Sequence, residues 1–335
     1  MISTSEKHII EEPVATSQTS EDGFFVVDVV DIRRESESVL SLGIARPDGL
    51  ALPDWSPGSH IDVMLPNGLL RQYSLCSAPG EPRWRLGVLR EPAGRGGSAY
   101  IHDQLKPGEQ LRVRSPRNNF ALGPAPEYVF IAGGIGITPI LPMLRAAEAS
   151  GVPWRLVYLG RSRSSMAFTG ELAQYGEKVH VHADDESGLY PLGELLGGPA
   201  AGFHAYVCGP GPLLDYIATL TTGWQDPARF HFERFVADAA ASAPAAGDHE
   251  FTVETTEGLQ VQVPVGTSIL TALEEVGVQV LNSCREGICG TCETPVVAGE
   301  IDHRDSLLSD QEREAGDTMM ICVSRCKGGR LVLDI

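Results

Sequence analysis

Five of the seven cysteines fall in the last quarter of this 335-residue sequence, and four are spaced Cys284-x4-Cys289-x2-Cys292-x29-Cys322. Four soft thiolates at that spacing suit a 2Fe-2S cluster, in which each iron completes a tetrahedron of sulfur with two protein ligands. Gly287 and Gly290 lie between the first three cysteines, where chain without Cβ atoms can fold closely round inorganic sulfide and aim amides at it. Structural zinc usually takes its cysteines as two C-x2-4-C pairs, and only Cys326 could accompany Cys322 in that way. Cys326 therefore reads as a bystander thiol and Cys76 as a packing residue. An odd number of cysteines in a chain of this length argues against a disulfide scaffold.

Two glycine-rich turns carry a second chemistry. Gly133-Gly134-Ile135-Gly136-Ile137-Thr138-Pro139 follows an apolar strand and opens a helix, so its backbone amides could face a pyrophosphate. Cys208-Gly209-Pro210-Gly211-Pro212 ends a later strand of the same alternating pattern, and two such turns at strand ends can face one dinucleotide. Thr138 and Pro139 are expected as the N-cap and first residue of the helix. Further upstream, Arg71, Tyr73 and Leu75 share one face of the strand RQYSL by its period of two, a set suited to a phosphate and a flat ring. Gly94-Arg95-Gly96-Gly97-Ser98 then supplies amides, a guanidinium and a hydroxyl ahead of a helix expected near Ser98.

The elements that must position these residues divide the chain. Residues 1–21 are polar and aperiodic, an extension set apart from the fold. Residues 22–124 carry short β-rich runs such as FFVVDVVDI, HIDVML and RWRLGVL between turn residues, which predicts an antiparallel β-barrel. From 125 to 235 continuous apolar strands alternate with helical stretches, the pattern of an α/β domain with a buried parallel sheet. An Ala-rich segment, 236–247, reads as a linker. From 248 to 335 a hairpin about Glu257-Gly258 and the capped helix TSILTALEEVG open a third, α+β domain.

The C-terminal region resembles the plant-type ferredoxins, whose fold is a β-grasp. The order RxYS, GRGGS, GGIGITP, CGPGP, HFERF and then the cluster cysteines is similar to that of the phthalate dioxygenase reductase family, over about residues 24–335. The resemblance implies a flavin contacted by Arg71, Tyr73 and Ser74, with Arg95, Gly97 and Ser98 at its phosphate and Phe235 on the ring. It implies FMN rather than FAD, to which GRGGS and the turn SPRNNF (115–120) lend local support. It implies that Gly134, Gly136, Thr138, Arg161, Ser162, Asp184, Cys208 and Pro210 line an NADH site, with Thr138 and Cys208 positioning the nicotinamide. Arg161 and Arg163 could instead meet the 2′-phosphate of NADPH.

The implied activity is that of an oxidoreductase passing electrons from NADH through FMN and a 2Fe-2S cluster to the oxygenase component of a Rieske-type system. Alternatives are a reductase for a cytochrome P450 and a low-turnover redox sensor. No acid-base residue pair is required or found, and the histidines show no metal-ligand pattern. A net charge of −18 opposes nucleic acid and anionic membrane as partners. Residues from Asp248 onward hold sixteen acidic against six basic side chains, a net −10 that suits a basic docking partner. No apolar run is long enough to span a bilayer and the opening residues lack a signal core, so the expectation is a cytoplasmic protein. A monomer is expected besides.

Overall fold

The computed structural model describes residues 23–196, 202–224, 226–236 and 245–335. The expected N-terminal extension and most of the expected linker lie outside the described residues.

Strands β1 (Phe24–Arg34), β2 (Val39–Ala45), β3 (His60–Met64), β4 (Leu70–Ser74), β5 (Trp84–Leu89) and β6 (Gln110–Arg114) form one antiparallel sheet in the order β4-β3-β6-β1-β2-β5. A bridge between Leu75 and Leu86 brings its two edge strands together and gives the barrel expected from the sequence. Closure removes the exposed edges on which another chain could pair. Inward side chains Val27, Leu42, Ile44, Ile61, Val63, Leu86 and Val88 fill the interior, and helix α1 (Gly97–Asp103) lies between β5 and β6 in the chain.

The second sheet is wholly parallel, built from β7 (Tyr128–Gly133), β8 (Trp154–Gly160), β9 (Val179–Ala183), β10 (His204–Gly209) and β11 (Phe230–Arg234). Its order is β11-β10-β7-β8-β9. Every residue of β7 is buried, as the central strand of a sheet covered on both faces should be. The connecting helices are α2 (Ile137–Ser150), α3 (Thr169–Leu172), α4 (Asp184–Ser187), α5 (Leu192–Leu196) and α6 (Gly211–Thr221). Because β7 sends its chain to β8 on one side while β10 lies on the other, the sheet has its switch point between β7 and β10.

The helix expectation needs correction here. A tight 3-10 turn over Gly134–Gly136 precedes α2, whose N-cap is Gly136. Thr138 thus lies inside the first turn, and its hydroxyl donates back to Ile135 O at 3.0 Å instead of capping.

The third unit is a mixed sheet in the order β13-β12-β18-β14-β16, comprising β12 (Phe251–Thr255), β13 (Gln260–Val263), β14 (Glu293–Ala298), β16 (Thr318–Met320) and β18 (Arg330–Leu333). Between them, β15 (Ile301–Asp302) pairs with β17 (Arg325–Cys326). The predicted hairpin is β12–β13, and β12 also runs parallel to β18, the β-grasp arrangement. Helices α7 (Ile269–Glu275) and α8 (Asp310–Ala315) complete it. Ser268 caps α7 by accepting from Thr271 N at 3.1 Å, a contact worth about 1 kcal/mol.

The barrel and the parallel sheet share a core. Val39, Cys76 and Phe120 from the barrel side pack with Phe130, Leu144 and Tyr206. Arg85 and Arg145 both donate to Cys76 O at 3.0 Å and both pair with Glu171 across the seam. The Thr138 methyl lies so close to β5 that a Cβ on Gly87 would approach it to 2.5 Å.

Candidate functional site

Cys284, Cys289 and Cys292 occupy the irregular loop after α7, and Cys322 the turn after β16. Their thiols are hydrogen-bond neighbours in the order Cys289, Cys284, Cys322, Cys292. These shared bonds hold Cys284 and Cys292 below the ordinary thiol range and push Cys289 and Cys322 above it. A chain of four sulfurs divides into two pairs, as a cluster with two ligands per iron requires. The donors therefore fit a 2Fe-2S cluster. Cys326 belongs to β17, opposite Ile301, away from this chain of thiols.

Backbone geometry shows why glycine stands in the loop. Gly287 has φ +71°, and a Cβ there would lie 2.5 Å from Val323 Cγ2. Gly290 has φ +73°. Behind the loop, Ser306 N donates to Gly287 O at 3.0 Å, while the buried Asp305 accepts from Leu307 N and Leu308 N at 3.1 and 2.8 Å. The sequence signalled the four cysteines but not this acidic brace.

The strand RQYS is β4. Its register sets Arg71 opposite Val63 and Tyr73 opposite Ile61, both inward residues, and Gln72 opposite Asp62 on the other face. Tyr73 is partly buried against the barrel core, and desolvation pushes its phenol above its ordinary range. Ser74 is buried. A Cβ on Gly97 would meet Arg71 Nε at 2.5 Å, so the glycine turn lies directly on the Arg71 side chain. Burial first, and the Arg95 charge second, hold the Arg71 guanidinium below its usual value. Such a pair of neighbouring cations is chemically matched to a phosphate. Ser98 Oγ accepts from Glu91 N at 3.0 Å.

Arg95 also reaches the cluster loop, where its Nη2 donates to Ser283 O at 2.8 Å and Cys284 O at 2.7 Å. Ser283 Oγ donates to Leu70 O at 3.0 Å, and Gln72 Nε2 donates to Cys289 O at 2.8 Å. The strand carrying the flavin candidates thus touches the loop carrying the cluster ligands. Nothing in the sequence signalled this junction, whose partners are separated by about 200 positions.

The nucleotide candidates all come to the carboxyl ends of the parallel strands. Gly134 and Gly136 follow β7, Arg161 and Ser162 follow β8, Asp184 follows β9, and Cys208 and Pro210 mark the end of β10. Gly136 packs so tightly on β10 that a Cβ would lie 2.2 Å from Cys208 O, whereas around Gly134, at φ +55°, a Cβ would meet nothing within 4 Å. The two glycine turns therefore stand side by side at the switch point, with open space over the first, and this cradle fits a dinucleotide. Phe235, just past β11 on the same rim, is 37% exposed and offers ring surface to a planar ligand.

Two residues outside the expected set act here. Glu233 lies opposite Cys208 in the β10–β11 register, with Oε2 4.0 Å from Cys208 Sγ. Although Glu233 keeps part of its surface exposed, desolvation pushes its carboxyl up to about 8. Burial, with Glu233 adding to it, raises the Cys208 thiol well above its ordinary range, so Cys208 sits there as a neutral group and not as a nucleophile. Glu186 takes the Arg163 guanidinium, Nε lying 3.0 and 2.9 Å from its two carboxylate oxygens.

Comparison with known proteins agrees with this geometry. Residues 252–327 match the family described as 2Fe-2S iron-sulfur cluster binding domain. The chain is 44% identical over 303 residues to the phenoxybenzoate dioxygenase subunit beta of Ectopseudomonas oleovorans, covering 90% of this chain and 94% of that one. It superposes on an intact type IV self-sufficient cytochrome P450 monooxygenase with a TM-score of 0.83 at 39% identity, covering 97% of this chain but only 43% of that longer protein. It matches phthalate dioxygenase reductase, a modular structure for electron transfer from pyridine nucleotides to 2Fe-2S, with a TM-score of 0.71 at 35% identity over 95% of this chain and all of the other. Among the described residues, no helix is long and apolar enough to cross a membrane. The chain belongs to the phthalate dioxygenase reductase family, oxidoreductases that carry electrons from a nicotinamide nucleotide through a flavin to a 2Fe-2S cluster.

Proposed function

We propose that this protein is the NADH-dependent, FMN-containing reductase of a Rieske-type oxygenase system, acting as a monomer in the cytoplasm. The observation that carries this reading is the contact of Gln72 with Cys289 O, because it sets the flavin strand against the cluster loop. When bound, the flavin supplies acceptance of a hydride and its release as single electrons, and the cluster supplies one-electron relay.

The chain's own part is positioning. Arg71, Arg95, Gly97 and Ser98 would hold the flavin phosphate, Tyr73 and Ser74 its ring system, and Phe235 would cover the ring. FMN over FAD is supported by the GRGGS turn, whose Gly97 lies directly on Arg71, and by the SPRNNF turn at 115–120. Gly134, Gly136, Arg161, Ser162, Asp184 and Pro210 would hold the dinucleotide, with Thr138 and Cys208 orienting the nicotinamide. NADH over NADPH is supported by the Glu186 carboxylate on Arg163 and by the acidic run Asp184–Glu186, which disfavours a 2′-phosphate. Cys284, Cys289, Cys292 and Cys322 would ligate the irons.

The acidic stretch from Asp248 onward suits docking on a basic face of the oxygenase, and association should weaken with salt. A second reading, in which a cytochrome P450 is the acceptor, is favoured by the likeness to the self-sufficient P450. The test is anaerobic titration with NADH and, separately, NADPH, following the visible spectrum and then identifying the released flavin. Stoichiometric bleaching by NADH with release of FMN is expected. Reduction by NADPH alone, or release of FAD, would overturn those parts of the reading, and oxygenase and P450 turnover assays would separate the two acceptors.

A further inference from the structure

We propose that Gln72 and Asp62 are positioning residues that set the Thr291 hydroxyl as a hydrogen-bond donor to the Cys289 sulfur, so that the flavin domain itself tunes the cluster it feeds. The inference rests on the reading that electrons pass from flavin to cluster within this chain.

Asp62 is 1% exposed and faces Gln72 across the β3–β4 ladder. Arg117 Nη2 lies 2.9 Å from both of its oxygens, and Arg114 Nη1 3.8 Å from Oδ2. A buried carboxylate held this way is a fixed anchor, because removing a partner from a buried ion pair leaves an uncompensated charge. Gln72 Nε2 has two hydrogens, and its shortest contacts are Cys289 O at 2.8 Å and Asp62 Oδ1 at 2.9 Å. Both are pure acceptors, which decides that the nitrogen and not the oxygen of the amide faces them. Thr291 Oγ1, 3.3 Å from the same nitrogen, is left as a longer third contact.

Thr291 is itself buried, with Oγ1 3.3 Å from Cys289 Sγ and 3.5 Å from Asp62 Oδ1. As a cluster ligand Cys289 is a thiolate and can only accept, so of the two groups the hydroxyl is the donor. Its proton has two possible acceptors, the sulfur and the carboxylate. Asp62 Oδ1 is the more distant and already accepts from Arg117 and Gln72, which leaves the sulfur. A hydrogen bond to a ligand sulfur stabilises the reduced, more negative cluster and raises its potential. The step it favours moves one electron, with the flavin oxidised by one electron and one ferric ion reduced to ferrous, and no bond is formed or broken. Without Gln72, Asp62 loses its competing donor and draws the Thr291 proton away from Cys289.

The test uses the holoprotein and the variants Gln72→Leu, Thr291→Val and Thr291→Ser. Cluster potential is read by EPR-monitored redox titration, and stopped-flow absorbance separates flavin reduction by NADH from the later bleaching of the cluster. The wild-type trace comes first, and a cluster that stays oxidised while the flavin is reduced would overturn the underlying reading and this proposal with it. Given normal wild-type transfer, Gln72→Leu and Thr291→Val are expected to lower the cluster potential. They should slow the second phase about fivefold, one hydrogen bond's worth, with the first phase unchanged. Thr291→Ser, which keeps the hydroxyl, should hold the wild-type potential. A wild-type potential in Gln72→Leu or in Thr291→Val would overturn the proposal, as would a lowered potential in Thr291→Ser. Leaving the anchor Asp62 intact, all three variants keep its buried ion pair with Arg117.

Discussion

Cys208 and Glu233 face each other on adjacent parallel strands with Sγ 4.0 Å from Oε2, which puts a desolvated carboxyl beside the thiol at the carboxyl end of the sheet. Glu233 has its carboxyl raised from 4.5 to about 8 by burial. A carboxyl raised in the folded state binds its proton more tightly there than in the unfolded chain. Its contribution to stability is therefore complete below about pH 4.5 and is lost as pH rises through 8. Thermal unfolding should show stability falling between about pH 4.5 and 8, and Glu233→Gln should flatten that slope, gaining about 2 kcal/mol over wild type at pH 9. This is less than half of what the full shift implies, because part of Glu233 meets solvent. An identical pH slope in the variant would show that Glu233 is already ionised.

The Glu186 carboxylate occupies Arg163, a basic residue that could otherwise serve a 2′-phosphate. An exposed pair of this kind holds by less than about 1 kcal/mol, so little is lost on breaking it. Glu186→Ala should raise kcat/KM for NADPH about tenfold, through a charge-assisted hydrogen bond from the freed guanidinium, and leave that for NADH within about twofold. Steady-state kinetics with the two nucleotides decides the matter. An unchanged preference would mean that selectivity resides in the adjoining acidic residues.

How much of this could be read from the chain depended on how local the physics was. The four cysteine candidates could be grouped because three of them lie in one loop, and the parallel sheet was legible because β7 is an unbroken apolar run. The Ser268 cap was legible for the same reason. Thr138 misled because its cap chemistry is sound in isolation, while the 3-10 turn over Gly134–Gly136 starts the helix earlier. Glu233 was not signalled, since alternation in HFERF says nothing about which neighbour desolvates it. The Asp62, Gln72 and Thr291 junction was out of reach, because it exists only once β4 and the cluster loop meet.

Asp305 is the buried brace of the cluster loop, accepting two backbone amides while its neighbour Ser306 holds Gly287 O. Asp305→Ala leaves both amides without an acceptor, and each buried unsatisfied donor costs about 1–3 kcal/mol. The variant should lose the visible cluster absorbance several times faster than wild type on incubation with a chelator, while its flavin content stays the same. Equal loss rates would show that the amides find other acceptors.

The two loop glycines should respond differently to the same substitution. Both have positive φ, so alanine at either incurs about 1–2 kcal/mol of backbone strain. At Gly290 the nearest obstacle is Leu307 Cδ2 at 3.0 Å, the far end of a side chain that can turn aside. At Gly287 the new methyl would meet Val323 Cγ2 at 2.5 Å and the Asp305 Cα at 3.1 Å, and neither a stiff β-branched side chain nor backbone can give way locally. Val323 directly follows the ligand Cys322, so relief at Gly287 must move a cluster ligand. Gly287→Ala should therefore purify with little iron and without the EPR signal of the reduced cluster. Gly290→Ala should retain both, with thermal stability lowered by about the strain alone. Comparable iron content in the two variants would show that the loop relaxes as a unit, and the distinction drawn from Val323 would fail.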